Sequence, residues 1–189
     1  MMPLPMAKGM EPIEGGPCSD ADTVREVLGG DPEAFTRIVG VYHSRVFGFL
    51  KQMTRHRQDA EDLTQQTFLK AFENLSRLDV SRPLIHWLLA IARNNALNHF
   101  RAAKPHEPVS DHLPASELSP AQSAEARDAQ ADLWETARAL LPARQFEILW
   151  LRYGEDLSVK ETAQVVGLTQ THVKILVFRA RHTLLKAIP

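Results

Sequence analysis

A single cysteine, Cys18, occurs in the 189 residues. It excludes an internal disulfide and suits a reducing compartment. No apolar run approaches the ~20 residues a membrane-crossing helix needs, and the N-terminus lacks the basic-then-apolar layout of a signal peptide. No membrane insertion is expected, therefore, and the expected location is the cytoplasm. Several chemical signatures are missing as well. Gly29-Gly30 has no G-K-[ST] partner, and no serine sits in a G-x-S-x-G elbow. The eight histidines form no H-E-x-x-H and no pair with a carboxylate at metal-ligand spacing. The chain is expected not to be an enzyme and to carry no metal or cofactor. Strands of period two are lacking too, and so is any internal repeat. Two long stretches contain no acid at all, Val80 to His106 and Thr162 to Pro189.

The net charge of −1 is uninformative until it is divided along the chain. Residues 1–30 hold 2 basic and 5 acidic groups, and residues 31–104 hold 11 and 7. Residues 105–132 hold 1 and 6, and residues 133–189 hold 8 and 5. Two net-basic blocks separated by an acidic connector suit a protein that binds a polyanion with two modules.

The second block ends in S-V-K-E-T-A-Q-V-V-G-L-T-Q-T-H-V-K-I-L-V-F-R-A-R-H-T-L-L-K, residues 158–186. Ser158 and Glu161 form a capping box that starts a helix. Ala163 permits close helix approach, and Gly167 lies where the helix must stop with positive φ. Leu168 plugs the corner, and Thr169 caps a second helix that turns Val173, Leu176 and Val177 inward. That is the pattern of a helix-turn-helix. Lys174, Arg179, Arg181 and Lys186 stand on the acid-free second helix, which suits phosphates and major-groove edges. An ordinary helical hairpin with a basic solvated face shares these local signals.

Ahead of it, residues 1–24 read as a disordered leader rich in proline and glycine. Asp31-Pro32-Glu33 starts a helix whose apolar stripe runs from Phe35 to Met53. A second helix, about Asp59 to Leu75, turns Ala60, Leu63, Thr67, Phe68, Ala71, Phe72 and Leu75 inward. Its other face, Asp62, Gln65, Gln66, Leu69 and Glu73, reads as a docking surface, an apolar residue among amides, or as a plain wet face. Residues 76–83 are a loop. A third helix, Leu84 to about Ala103, packs Trp87, Leu88, Ile91 and Ala92 and shows Arg93, Asn94, Asn95, Asn98, His99 and Arg101. Asparagine is a mediocre helix former, so three within five positions need a reason. Base edges and phosphates give one, and core hydrogen bonds give the other. Residues 104–130 form a flexible acidic linker with four prolines. A helix carrying Leu133, Trp134, Ala137 and Leu140 follows, then another that begins at Pro142. The expected fold is all-α, with two helical domains, residues 25–103 and 131–189, joined by that linker.

With these motifs in order, the chain resembles the bacterial sigma factors of the extracytoplasmic-function group. D-P-E-A-F…Y, D-A-E-D-L-T-Q-Q-T-F-L-K-A-F (59–72), W-L-L-A-I-A-R-N (87–94), L-P-A-R-Q-F-E-I-L-W-L-R-Y and the 158–186 stretch carry the resemblance. It covers about residues 25–103 and 130–188. It implies that Asp62, Gln65, Gln66 and Leu69 dock on the β′ clamp helices of core RNA polymerase. It implies that loop 76–83 and the helix bearing Arg93, Asn94, Asn95, Asn98 and Arg101 melt the −10 element and capture a flipped base. It implies −35 contacts by Thr169, Gln170, Thr171, Lys174, Phe178 and Arg179. The C-terminal domain would also touch the β flap, and an anti-sigma factor would hold the protein inactive. Two departures stand out. Leu84 replaces the family's usual phenylalanine, and H-V-K-I-L (172–176) stands where T-V-K-S-R is common. Ile175 and Leu176 thus replace a hydroxyl and a cation, so the usual −35 sequence is not expected, and apolar contact with a thymine methyl is one substitute. A helix-turn-helix regulator with a sensing or dimerisation bundle is the rival reading, and a polymerase-binding adaptor without promoter reading is another.

Overall fold

The computed structural model describes residues 19–103 and 125–187, and among them every regular element is helical. The helices are α1 (Asp20–Leu28), α2 (Phe35–Thr54), α3 (Arg57–Glu73), α4 (Leu84–Ala103), α5 (Glu125–Leu140), α6 (Ala143–Tyr153), α7 (Val159–Val166) and α8 (Gln170–Ala187). The expected leader is shorter than read from sequence. Ser19 caps α1 in a full capping box with Asp22, so residues 20–24 are helical, and the rest of the leader lies outside the described residues. The start predicted at Asp31 begins as a 3₁₀ turn, Pro32–Ala34, that runs into α2, with the Asp31 carboxylate accepting from the Glu33 amide. Of the expected linker, residues 125–130 belong to α5, and residues 104–124 lie outside the described part.

α2, α3 and α4 pack against one another and form the first bundle. α3 turns Ala60, Leu63, Phe68 and Ala71 inward, as its spacing predicts. The buried hydroxyls of Thr64 and Thr67 donate to the carbonyls of Ala60 and Leu63, so neither is left unsatisfied. Phe72, expected inside, is instead 41% exposed and meets Phe35 edge-on.

The second bundle is built on α6, α7 and α8. Pro142 sits at the N-cap of α6, where a missing N–H costs nothing. A turn follows α6, with Asp156 at φ 56. The two bundles share one buried apolar cluster, in which Leu88, Leu89 and Ala92 of α4 join Ile148 and Leu151 of α6 and Val165 and Val166 of α7. α4 lies directly against α7. Charged and titratable side chains meet across the same boundary. Arg93 of α4 pairs with Glu147 of α6, Arg45 of α2 donates to Glu155 at 3.0 Å, and His86 stands 3.8 Å from Glu161.

Candidate functional site

Three surfaces gather the residues singled out from sequence. On α3, Asp62, Gln65, Gln66 and Leu69 follow i, i+3, i+4, i+7 and lie along one exposed strip, Leu69 at 60% exposure. Gln58 donates to the Asp62 carboxylate at 3.3 Å from one turn back. An exposed leucine between two amides and a carboxylate gives the strip an apolar centre with a polar margin, the anatomy of a protein contact.

The second surface lies where the end of α3 meets α4. Lys70, Asn74, Arg77, Trp87, Ile91, Asn94, Asn95 and Asn98 line an open cleft of about 320 Å³. Only part of the expected α4 set faces it. Asn94 and Asn98 are exposed there, and Arg101, one turn past Asn98, donates to its side-chain oxygen at 3.3 Å. Asn95 is buried: its amide donates to the Thr67 hydroxyl at 3.1 Å, and its oxygen accepts from Lys70 at 2.6 Å. Of the two reasons open for the asparagines, core hydrogen bonding is the one Asn95 serves in this structure. Arg93 is buried on the opposite side of α4, against Glu147.

Lys70 and Asn74 were not singled out from sequence, and Arg77 entered only as part of loop 76–83. The three recur at i, i+4, i+7, the spacing that would have placed them on one edge. The neighbouring loop is tied by Asp79, which accepts from the Ser81 amide and hydroxyl and pairs with Arg82 at 3.0 Å. The Ser81 hydrogen bonds, with help from Arg82, hold the Asp79 carboxyl below its ordinary range. Together the cleft offers two cations, several amides and one indole.

The third surface is α8. Ser158 and Glu161 make the capping box of α7, Gly167 ends it at φ 68, and the Leu168 amide donates back to the Ala163 carbonyl at 3.0 Å. Thr169 caps α8 by accepting from the His172 amide at 3.2 Å. Val173, Leu176 and Ala180 are buried, while Gln170, Thr171, Lys174, Phe178 and Arg179 point outward. Leu176 therefore does not stand in for a DNA-facing cation, because its side chain belongs to the core. Ile175, beside it, is exposed. Among the described residues, no group of three His, Cys, Asp or Glu comes together as a metal site, and no helix is long and apolar enough to cross a membrane.

The comparisons with known proteins divide the chain into the same two parts. The Sigma-70 region 2 family matches residues 38–105, and the Sigma-70 region 4 family matches residues 132–184. The chain is 32% identical over 184 residues to the ECF RNA polymerase sigma factor BldN of Streptomyces coelicolor, spanning 92% of this chain and 69% of BldN. It is 31% identical over 152 residues to the ECF sigma factor SigM of Bacillus subtilis, spanning 78% of this chain and 90% of that one. It belongs to the ECF RNA polymerase sigma factors. Its partners are core RNA polymerase and promoter DNA. The fold is shared with CnrH, solved in complex with the cytosolic domain of CnrY, at a TM-score of 0.65 and 23% identity over 90% of this chain and 99% of that one. It is shared also with RpoE of Bartonella quintana, solved in complex with the anti-sigma factor NepR, at 0.60 and 23% over 80% and 94%. For this sigma factor, α2 to α4 are the region 2 part and α5 to α8 the region 4 part, so the buried boundary between α4 and α7 is one between its two family regions.

Proposed function

We propose that the three surfaces divide the work of promoter-directed initiation, with residues 25–103 and 131–189 as its two working units. The α3 strip of Asp62, Gln65, Gln66 and Leu69 docks on the β′ clamp helices of core polymerase. The α4 cleft, through Asn94, Asn98 and Arg101, receives the unpaired −10 strand. Trp87 gives a base a stacking partner there, and Lys70 and Arg77 meet its phosphates. Asn95 serves the same cleft indirectly by fixing Lys70. Arg93 reaches the −10 strand only when α4 and α6 part, since its guanidinium is otherwise held by Glu147. α8 enters the −35 major groove, where Lys174 and Arg179 meet phosphates and Gln170, Thr171 and Phe178 lie toward base edges, while Thr169 keeps its capping role.

The protein acts in the cytoplasm as an initiation factor without catalytic chemistry of its own, and the region 4 part also touches the β flap. An anti-sigma factor controls it, as in the NepR complex of the Bartonella protein. The observation that carries this reading is the pairing, on one chain, of an acid-free exposed α8 with the amide-lined strip of α3.

Gel filtration with core polymerase, followed by transcription from a promoter pool, tests it. Co-elution and new start sites are expected. Gln65→Ala, on an exposed position, should weaken core binding by roughly five- to thirtyfold while leaving the fold intact, as losing an interface side chain worth about 1–2 kcal/mol would. Tight operator binding without polymerase, and no co-elution, would instead indicate a stand-alone regulator.

A further inference from the structure

Ile175 is not part of the buried core. The inner side of α8 is already filled by Val173, Leu176 and Ala180, and Ile175 stands outside it, 43% exposed. It lies in the second turn of the helix, next to Lys174 and one turn ahead of Arg179, and no acid follows Glu161 in the chain. Phe178, one turn on, is 70% exposed and stacks on His182 with ring centroids 6.1 Å apart. An apolar strip bordered by cations and free of acids is complementary to a polyanion that carries apolar points, and duplex DNA is such a surface. In the major groove the one apolar group on a base edge is the thymine C5-methyl. A β-branched side chain in a helix is held close to one χ1 rotamer, so its methyls are presented at a fixed place with little entropy left to lose.

We propose that Ile175 is a specificity-determining residue of this sigma factor, selecting thymine in the −35 element by contact with its C5-methyl group. The inference rests on the reading that α8 enters the −35 major groove. Phe178 extends the apolar surface toward the next base pair. Leu185, although exposed, lies two turns beyond Phe178 and takes no part.

The test uses holoenzyme assembled from core polymerase and the full chain. A −35 region randomised in sequence is selected for binding, and the enriched duplex is then rebuilt with deoxyuridine in place of each thymidine in turn, which removes one methyl and nothing else. Thymine should be enriched at one or two adjacent positions. Replacing the thymine that faces Ile175 by uracil should weaken binding roughly fourfold, the worth of one buried methyl. Ile175→Ser, a change outside the core, should bind the two duplexes equally. If wild-type holoenzyme protects the −35 region but does not distinguish uracil from thymine, Ile175 does not read methyls, and the placement of α8 still stands. If no duplex is protected at −35, the placement of α8 fails and the inference falls with it.

Discussion

Glu147 lies between two guanidinium groups, that of Arg93 across the regional boundary and that of Arg144 one turn earlier at 2.9 Å. Arg144 also donates to the Val166 carbonyl at 3.2 Å, which ties the end of α7 into the same network. Both Glu147 and Arg93 are buried. A buried pair is weak evidence of net stabilisation, but deleting one member strands the other charge in a poor solvent. Glu147→Ala is accordingly expected to lower unfolding free energy by about 3–5 kcal/mol. The double change Glu147→Leu with Arg93→Met should recover most of that loss. Urea unfolding of the three proteins checks both, and a double variant as unstable as the single one would deny the pairing its role. Arg93 also marks a limit of sequence reading. Helical spacing puts it on the polar side of α4 with Asn94 and Asn98, but nothing local shows that its partner lies 54 residues away. Asn95 is similar, since its hydrogen bonds to Thr67 and Lys70 depend on how two helices meet.

The helix-turn-helix was legible because its determinants are local. Capping boxes act over three residues, and a glycine at the C-terminus of a helix answers one backbone torsion. Gly167 adopts φ 68, and a Cβ added there would meet nothing within 4 Å. The cost of substitution is therefore one of backbone conformation alone. Gly167→Ala should lose about 1–2 kcal/mol, and Gly167→Asn less, because asparagine visits the left-handed region more readily. Thermal unfolding ranks the three, and equal losses for alanine and asparagine would point to a steric cause instead. The α1 helix was not read from sequence at all, although Ser19 and Asp22 have capping-box spacing. Proline and glycine on both sides hide nine residues that are held by distant contacts to α2. Tyr42 of α2, for example, donates a hydrogen bond to Asp20.

The two regions of the molecule share one core, so what loosens their boundary acts on the whole chain. His86 is half-buried on α4 at that boundary, facing Glu161 of α7 and near Arg45 of α2. Burial pushes its imidazole below the ordinary 6.5; Glu161 opposes the shift and Arg45 adds to it. Because the folded chain holds this proton less tightly than the unfolded chain, its contribution to stability is complete above 6.5. That contribution fades as pH falls through the lower folded value. Glu155 works in the other direction, since burial lifts its carboxyl above 4.5 against the pull of Arg45, and protonation there favours the folded state. Wild-type stability contains both effects, so the informative quantity is the difference made by His86→Gln. Between about pH 5 and 8, the urea midpoint of the wild type should gain on that of His86→Gln as pH rises toward 6.5. The variant lacks the group that takes up a proton on unfolding. If the two proteins follow parallel curves, the boundary between the regions carries no histidine-dependent term, and its tie to pH would have to come from the carboxylates alone.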